Sequence, residues 1–378
     1  MLIAIAAILF FLPCVLLVYH WLLYPLVLVL LSKRTKPAAL QQCDGLPMVT
    51  VAIAVYNEEL VLRAKIANCL ASDYPPDRIE FLFGSDASSD GTDGMLSAAT
   101  DPRIRWFRLP ARGGKTVVLN RLMAESRGEL VLFTDADIEI APDAVRAMAR
   151  RFADPRVGVV QINYHRTNKD GSVAEGVFDR WETMTKKLEG GLGAMTSTNG
   201  MGMMLRRSLC DPISPDTIHD DLLLGLRPFY KGYDAVFESS ALASCRVERE
   251  DIEFRRRVKM GRGNMQALVR YAGLLSPRYG IKALALASHK TIRALLPFFM
   301  PLALIGCLLA VPRPFFVVAG GLQLLVYLTI PLVLSKRGRW RRMLLPQYYL
   351  LMNLGLLVGN LDYLFGARRS YWERTQRS

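Results

Sequence analysis

Two acidic side chains follow directly after a short apolar segment of the chain. Residues 129–140 read ELVLFTDADIEI, so a run of β-prone residues ends at Asp135 and Asp137, with one small residue between the acids. The apolar run predicts a buried strand, and carboxylates two positions apart beyond its end can converge on one hard cation. The pattern therefore predicts a site for a metal ion and a phosphate. It also fits an Asp-rich turn into a helix begun at Pro142, and the motif alone leaves that alternative open.

Other predicted strands also end in polar side chains, namely Tyr56, Asn57 and Glu58 after the first strand, Asp86 after the second and Lys115 in the loop after the third. A carboxylate such as Asp86 accepts hydrogen bonds from a sugar hydroxyl or a base N–H, whereas a lysine offers a point charge to phosphate. Together these tips predict a site for a group that is both hydroxylated and phosphorylated. Taken singly, they fit local roles, a helix N-cap at 90–92 and a solvated turn at 112–115.

The segments that must position these side chains alternate between β-like and helix-like patterns. Strands are predicted at 49–57, 79–86, 104–109, 129–137 and 157–165, and helices at 60–70, 92–99, 114–127 and 142–153. This alternation predicts an α/β fold with a mostly parallel sheet and helices on both of its faces. In such sheets ligands bind beyond the carboxyl ends of the strands, which is where the polar tips lie.

Both ends of the 378-residue chain have the composition of membrane-spanning segments. Residues 1–32 contain no Asp, Glu, Lys or Arg and exceed the roughly 20 apolar residues of one spanning helix, so they predict a retained anchor rather than a cleaved signal peptide. Three further uncharged stretches, at 294–312, 314–335 and 343–361, predict a C-terminal transmembrane region over 294–366.

Clusters of lysine and arginine set the predicted orientation of these spans. They lie at 33–36 and 336–342, which predicts that the domain at 40–280 faces the cytosol. A count of the predicted spans puts the basic tail at 367–378 outside the cytosol, whereas its charge favours the cytosolic side. The last apolar stretch is therefore interpreted as spanning or re-entrant. Much of the net charge of +14 lies beside the apolar stretches, where anionic lipid is a nearer partner than nucleic acid. Six cysteines without Cys-x-x-Cys spacing predict neither a disulfide framework nor a zinc site.

Four short motifs, in order along the chain, resemble those of the family-2 glycosyltransferases with the GT-A fold. They are AVYNE at 54–58, SDASSDGT at 85–92, GKTVVLN at 114–120 and DAD at 135–137. Over about residues 48–275 the chain is most similar to the membrane-embedded branch that contains cellulose, chitin, hyaluronan and poly-N-acetylglucosamine synthases. The resemblance implies a GT-A domain that binds a nucleotide-sugar donor.

The resemblance also implies a role for each strand tip. Asp86 and the loop of Tyr56, Asn57 and Glu58 would hold the uridine, and Lys115 would lie near the nucleotide. Asp135 would contact the ribose or a phosphate. Mg²⁺ or Mn²⁺ would be ligated by Asp137, with Asp135 beside it in the metal site.

A second acidic pair, Asp220 and Asp221, precedes an apolar helical pattern at 222–227. It resembles the Thr-Glu-Asp motif of the family, with His219 in place of the threonine. A carboxylate there can deprotonate an acceptor hydroxyl, so Asp221 is the predicted catalytic base. The alternative is two acids in a first helical turn, where the helix dipole favours them. The loop at 196–200 resembles the acceptor-side loop of these enzymes, and the residues after it, at 201–205, predict a strand.

A strongly basic stretch at 250–275 is predicted to be helical. Residues 256–260 (RRVKM) fall where processive synthases of the family carry Gln-x-x-Arg-Trp, so the aromatic platform is missing and processive extension is in question. Arg257 and Lys259 can still neutralise charge that develops on the diphosphate. The alternative is a basic face near lipid headgroups, and residues 281–293 are predicted as an interfacial helix that leads into the bilayer.

These patterns predict an inverting, metal-dependent glycosyltransferase, a multi-pass protein of the inner membrane. It is expected to move a hexose from a nucleotide-sugar, expected to be a UDP-sugar, to a growing polysaccharide through a β-linkage. The alternative acceptor is a membrane lipid that receives a single sugar. Outside enzymes, the alternative is an inactive membrane subunit that binds a nucleotide-sugar or is purely structural.

Overall fold

The computed structural model describes residues 1–33, 45–167, 173, 176–246, 253–335 and 345–366. These residues divide into two compact units. The helical unit is drawn from Met1–Val27, Glu248–Leu275 and Leu286–Arg368, and the sheet unit is drawn from Leu28–Val247 and Ser276–Ala285. The predicted basic clusters beyond Lys33, at 34–36 and 336–342, and the basic tail at 367–378 lie outside the described residues.

The sheet unit contains a mixed sheet whose described strands are β1 Val49–Val55, β2 Ile79–Ser85, β3 Ile104–Arg108, β4 Leu130–Phe133, β5 Glu139–Ile140, β6 Val157–Thr167, β7 Met203–Arg206 and β8 Asp234–Arg246. Their order is β3-β2-β1-β4-β7-β6-β8-β5. The first four in this order are parallel, as predicted. Beyond them the sheet is mixed: β6 and β8 pair in parallel, whereas β7 runs antiparallel to both β4 and β6, and β5 runs antiparallel to β8.

The described α-helices, in chain order, are α1 Leu2–Val18, α2 Tyr24–Ser32, α3 Glu59–Leu70, α4 Thr92–Ser97, α5 Lys115–Glu125, α6 Ala144–Arg150, α7 Val177–Gly191, α8 Asp220–Tyr230, α9 Glu253–Arg270, α10 Ile281–Ala285, α11 Ile292–Leu309, α12 Pro314–Ser335 and α13 Leu345–Leu364. The predicted helices at 60–70, 92–99, 114–127 and 142–153 are confirmed as α3 to α6; α3 begins one residue earlier than predicted, and the other three are shorter. The basic stretch is confirmed as the helix α9.

The core of the sheet unit lies on both faces of the parallel strands. Every residue of β1 and β2 is buried, which is why their sequences are almost continuously apolar. On one face, the odd-numbered side chains of β1 pack with α3 and α6. On the other, Gly84 of β2 leaves room for Val118 of α5, because a β-carbon on Gly84 would lie 2.6 Å from it. The carboxyl ends of β1, β2 and β4 are thereby fixed at one edge of the sheet.

The helical unit is held together by close packing between α9 and α13. Gly355 and Gly359 form a Gly-x-x-x-Gly face that brings two helix backbones together. A β-carbon on Gly355 would lie 2.9 Å from the Arg257 β-carbon, and one on Gly359 would overlap the Val258 carbonyl. Asp362, the acid in the last apolar stretch, pairs with Arg262 of α9 at 2.9 Å.

Two helical runs, Leu2–Ser32 and Ile281–Leu309, are long and apolar enough to cross a membrane, and Pro314–Leu328 is a shorter apolar helix. Residues 281–293, predicted as an interfacial helix, form the beginning of the second run. Short π-helical turns at Tyr19–Leu23 and Leu286–Thr291 interrupt the two runs. They meet where His20 Nδ1 lies 2.9 Å from the Ser288 carbonyl oxygen. The number of spans and the membrane placement of the remaining stretches stay predictions.

Candidate active site

The acidic turn after β4 is fixed by its own backbone. The Asp135 N–H donates to the Gly200 carbonyl at 3.1 Å, and the Ile138 N–H donates to the Asp135 carbonyl at 3.3 Å. Asp135 and Asp137 are both half-buried. Both carboxylates therefore stand on a constrained turn, and Asp135 lines a pocket from which Asp137 is absent.

Gly200 leaves, in place of a side chain, a narrow space between two carboxylates. A β-carbon at this position would lie 2.7 Å from Asp135 Oδ2 and 3.1 Å from Asp221 Oδ2. The two acids thus converge on one point from the turn after β4 and from the first turn of α8. We call this space, bounded by Gly200, Asp135 and Asp221, the Gly200 cradle. Its oxygen donors suit a hard divalent cation or an acceptor hydroxyl, so the residues present fit the metal-dependent chemistry that the sequence predicts.

Lys115 brings positive charge to the same place. Its Nζ lies 2.9 Å from Asp135 Oδ1 and 3.3 Å from Asp220 Oδ2. Burial alone would lower the pKa of Lys115, but the charges of Asp135, Asp220 and Asp221 outweigh burial and raise that pKa well above its ordinary value. Lys115 is therefore an ammonium ion at physiological pH, and it links α5, the acidic turn and α8.

A single pocket collects these groups. It is lined by Lys115, Asp135, Gly200 and Asp221 together with neighbouring residues of β1, β4, α5 and α8, namely Ala52, Ala54, Leu119, Phe133, Thr134 and Leu224. Among the described residues, no group of three or more His, Cys, Asp or Glu side chains is arranged to hold a metal ion. A cation bound at the acidic turn would thus need further ligands from a bound substrate or from water.

The loops that follow β1 and β2 are joined by hydrogen bonds. The Ser89 N–H donates to Asn57 Oδ1 at 2.8 Å, and the Glu58 N–H donates to Thr92 Oγ1 at 2.8 Å. Asn57 and Ala87 both have a φ of 54°, in the left-handed region that residues with a β-carbon seldom adopt. Both turns therefore keep strained backbones, and the contacts between them hold these conformations.

Asp86 is fully buried at the tip of β2, and both of its carboxylate oxygens accept hydrogen bonds from the protein. The Gly113 N–H donates to Oδ1 at 2.6 Å, and the Gly114 N–H donates to Oδ2 at 3.0 Å. In the same loop, the Arg112 guanidinium lies 4.2 Å from the centre of the Tyr56 ring. Asp86 thus orders the loop at 112–114, and its contact with uridine stays a prediction.

The loop at 196–200 is buried and anchored to two helices. The Thr196 N–H donates to Glu189 of α7 at 3.0 Å, and the Thr198 hydroxyl donates to the Asp221 carbonyl at 2.8 Å. Gly225 of α8 permits the second contact, because a β-carbon on Gly225 would overlap the Thr198 side chain. The loop therefore ties the first turn of α8 to the Gly200 cradle.

The two acids at the start of α8 have different surroundings. Asp220 pairs with Lys115, whereas Asp221 faces the Gly200 cradle, and His219 stands at the N-cap position before them. Placement for the helix dipole alone does not account for the approach of Asp221 to the acidic turn. The role of Asp221 as a base stays a prediction.

Arg257 and Lys259 lie on α9, in the helical unit. Arg257 is half-buried and Lys259 is exposed. Their predicted action on a departing diphosphate stays a prediction.

Two residues near the site were not singled out from the sequence. Gly200 was seen only as the end of a polar loop, and it lies three residues before the start of β7. Lys65 was missed altogether, and its signal was a lysine at helical spacing from the buried Leu62 and Cys69 on α3.

The sequence itself matches a known family over much of the sheet unit. Residues 50–211 fit the model of glycosyl transferase family 2. Residues 50–211, which are less than half of the chain, therefore form a domain that is similar to this family. The matched residues include all of the strand tips described above, whereas Asp220 and Asp221, in the first turn of α8, follow shortly after them.

Curated relatives share this domain. Beta-monoglucosyldiacylglycerol synthase of Synechocystis sp. is 30% identical over 194 residues, which are 48% of this chain and 40% of that protein. The probable glycosyltransferase YdaM of Bacillus subtilis is 25% identical over 254 residues, which are 63% of this chain and 60% of that protein. The match thus spans about two fifths of the length of the cyanobacterial relative.

One solved structure resembles the chain over nearly its whole length. It is a mannosyltransferase from Pyrobaculum calidifontis in complex with GDP-Man and Mn²⁺, with a TM-score of 0.68 and 21% identity over 97% of this chain and 99% of that one. At this identity the likeness shows the fold alone, and it confirms the predicted GT-A-like α/β architecture.

Proposed function

We propose that this chain is a metal-dependent, inverting glycosyltransferase of the cell membrane that moves a hexose from a nucleotide-sugar, here a UDP-sugar, to an acceptor hydroxyl. The observation that carries the proposal is the Gly200 cradle, where Asp135, Asp221 and Lys115 converge from three separate elements. They do so at the carboxyl ends of β1 and β4, the edge where sheets of this kind bind ligands. Similarity to glycosyl transferase family 2 supports the same reaction class.

On the donor side, we propose that Tyr56, Asn57, Glu58 and Asp86 bind the nucleoside and that Lys115 contacts the diphosphate. Asp137 and Asp135 would hold Mg²⁺ or Mn²⁺. Mg²⁺ is commonly bound through one or two carboxylates together with substrate phosphates, which fits this pair of acids. When bound, the ion supplies positive charge that stabilises the departing diphosphate.

On the acceptor side, we propose that the Asp221 carboxylate removes the proton from the acceptor hydroxyl. The hydroxyl oxygen forms a bond to the anomeric carbon as the bond from that carbon to the diphosphate oxygen breaks, and the nucleoside diphosphate leaves with the electron pair. A single displacement inverts the configuration, so an α-linked donor yields a β-linkage. Arg257 and Lys259 are proposed to offset the negative charge on the leaving group.

The acceptor that we favour is a membrane lipid that receives one sugar. The cyanobacterial relatives are named as synthases of a glucosylated diacylglycerol, and the chain lacks the tryptophan of the processive motif, with Met260 in its place. A growing polysaccharide is the second candidate, supported by the resemblance to the membrane-embedded synthases. Size analysis of the product made from radiolabelled donor separates the two: one added sugar extractable into organic solvent supports the lipid, and a long water-soluble product supports the polysaccharide.

The first test of the proposed reaction uses the full-length protein in membranes, a panel of UDP-sugars and Mn²⁺, with released UDP as the readout. We expect Asp137→Asn and Asp221→Asn each to lower turnover by about 10²- to 10³-fold, the range for loss of a general base or a major electrostatic group.

The matched control for that test is Asp77→Asn, a change of an exposed carboxylate on the turn before β2, which should leave turnover unchanged. Undiminished transfer by both active-site variants contradicts the proposal. An inactive wild-type protein with every donor in the panel supports a subunit without catalysis.

A further inference from the structure

A buried lysine lies against the acidic turn. Lys65 of α3 is 2% exposed. Its Nζ donates to the Ile138 carbonyl at 2.7 Å and to Thr134 Oγ1 at 3.4 Å. These two acceptors lie on either side of Asp135 and Asp137 in the chain, so one ammonium group holds both ends of the turn that carries the two acids.

The burial of this ammonium is unfavourable unless the protein compensates it. Burial lowers the pKa of Lys65, and the charges of Asp135, Asp137 and Glu139 act in the opposite direction. Its hydrogen-bond partners are a carbonyl and a hydroxyl, so its charge acts on the three carboxylates across space. A neutral core residue of similar volume would avoid the desolvation of a charge.

Helix α3 makes a second pair of hydrogen bonds to the chain just beyond the turn. Asn68 Nδ2 donates to the Ile140 carbonyl at 2.8 Å, and the Ile140 N–H donates to Asn68 Oδ1 at 3.0 Å. This second contact is neutral and lies on β5 rather than on the turn. Asn68 is therefore a matched control for Lys65, since it anchors the same segment without facing the acids.

We propose that Lys65 is a positioning residue for the cation site, because it fixes the turn from Thr134 to Ile138 so that Asp135 and Asp137 present their carboxylates to a divalent ion bound with the donor diphosphate. This inference rests on the proposed function. Lys65 acts through the turn and touches neither substrate nor ion. Its positive charge also repels a cation, and the proposal is that the effect of fixing the turn is larger than this repulsion. Residues that orient metal ligands from behind usually strengthen metal binding.

The test measures Mn²⁺ binding to the full-length protein in the presence of UDP, by the loss of the electron paramagnetic resonance signal of free Mn²⁺. Lys65→Met keeps the length and removes the donor, and it should weaken Mn²⁺ binding by about 10- to 100-fold. Lys65→Gln keeps a shorter, neutral donor and should fall between Lys65→Met and the wild type. Asn68→Ala should stay within about twofold of the wild type.

Each outcome decides the inference. Unchanged or tighter Mn²⁺ binding in Lys65→Met overturns it, and so does an Asn68→Ala variant that is weakened as much as Lys65→Met. If Lys65→Met does not fold, Lys65→Gln must bind Mn²⁺ more weakly than Asn68→Ala for the inference to stand. Asp137→Asn separates this inference from the proposed function: if the wild type and Asp137→Asn bind Mn²⁺ alike, the proposed function fails, whereas loss in Asp137→Asn alone refutes only the role of Lys65.

Discussion

Gly200 lets the Asp135 and Asp221 carboxylates approach the same point because it has no side chain. Its φ is not positive, so alanine at this position meets no backbone strain, and the requirement for glycine is one of space. The contrast with Gly114 is instructive, because Gly114 has a φ of 88° and is needed for its conformation. The space between the two carboxylates therefore depends on the absence of a β-carbon at Gly200.

We predict that Gly200→Ala folds normally and loses about 10²-fold in turnover, because the new methyl group forces two catalytic carboxylates apart, and small displacements of reacting groups have effects of this size. Melting temperature and released UDP are measured side by side. Gly191→Ala is the control, because no atom lies within 4 Å of a β-carbon at that position. A Gly200→Ala enzyme with wild-type turnover would show that the cradle is not where the reaction occurs.

Some residues of the site could be predicted from the sequence, and others could not. The acidic pair after β4 could be predicted because an apolar run ends on it, and Lys115 because its loop follows a strand. The hydrogen bonds from Gly113 and Gly114 to Asp86 could not be predicted, because they depend on how the loop after β3 folds back onto the end of β2. Lys65 was missed for a different reason: it has the helical spacing of a buried position, but lysine is so seldom buried that its residue type favours an exposed one.

At the scale of elements, three strands of the sheet share one buried acid. Glu80 of β2 accepts hydrogen bonds from the Thr50 hydroxyl of β1 at 2.6 Å and from Arg105 of β3 at 2.8 Å. The Arg127 N–H, just before β4, also donates to it at 2.8 Å. The end of the sheet away from the active site is thereby cross-linked through one carboxylate.

This arrangement predicts how stability changes with pH. Burial alone would raise the pKa of Glu80, but the hydrogen bonds from Thr50, Arg105 and Arg127 prevail and lower it below the ordinary value of 4.5. A lowered folded-state pKa gives stability that is present above the unfolded-state pKa and lost as pH falls through the folded one. Glu80→Gln should therefore melt several degrees below the wild type at pH 7, and the difference should shrink below about pH 4.5.

Melting curves of the two proteins between pH 7 and pH 3 check this prediction. A constant difference across that range would show that the hydrogen bonds, rather than the charge of Glu80, carry the stability. Glu125→Gln serves as the control, since that acid is half-buried and pairs with Arg121 within a single helix.

The elements themselves were predictable where they were periodic or continuously apolar, as in β1, β2 and α3. The direction of β7 was not, because it depends on the long excursion from β6 through α7, and nothing local in Met203–Arg206 encodes it. β8 was not predicted at all: its sequence DAVFESSALASCR is rich in serine and alanine, which have low strand propensity. Its pairing along the length of β6 compensates for this.

At the scale of the whole molecule, the chain joins a sheet unit to a helical unit that contains long apolar helices. The runs Leu2–Ser32 and Ile281–Leu309 contain 31 and 29 residues, each more than a bilayer core requires. We therefore predict that the full-length protein remains in the membrane pellet after extraction with alkaline carbonate, which strips proteins held only by charge. Release into the supernatant, alongside a peripheral marker protein, would contradict the assignment to the membrane.

The contact between α9 and α13 has a consequence for biosynthesis. Arg262 and Asp362 lie 100 residues apart in the chain, so α9 emerges from the ribosome long before its partner helix exists. Until then, the α9 residues that pack against α13, among them Gly261 and Arg262, lack that neighbour. Nascent chains that stop before Gly355 would keep residues 50–211, which match the family-2 model, and are still expected to be targets for quality-control proteases.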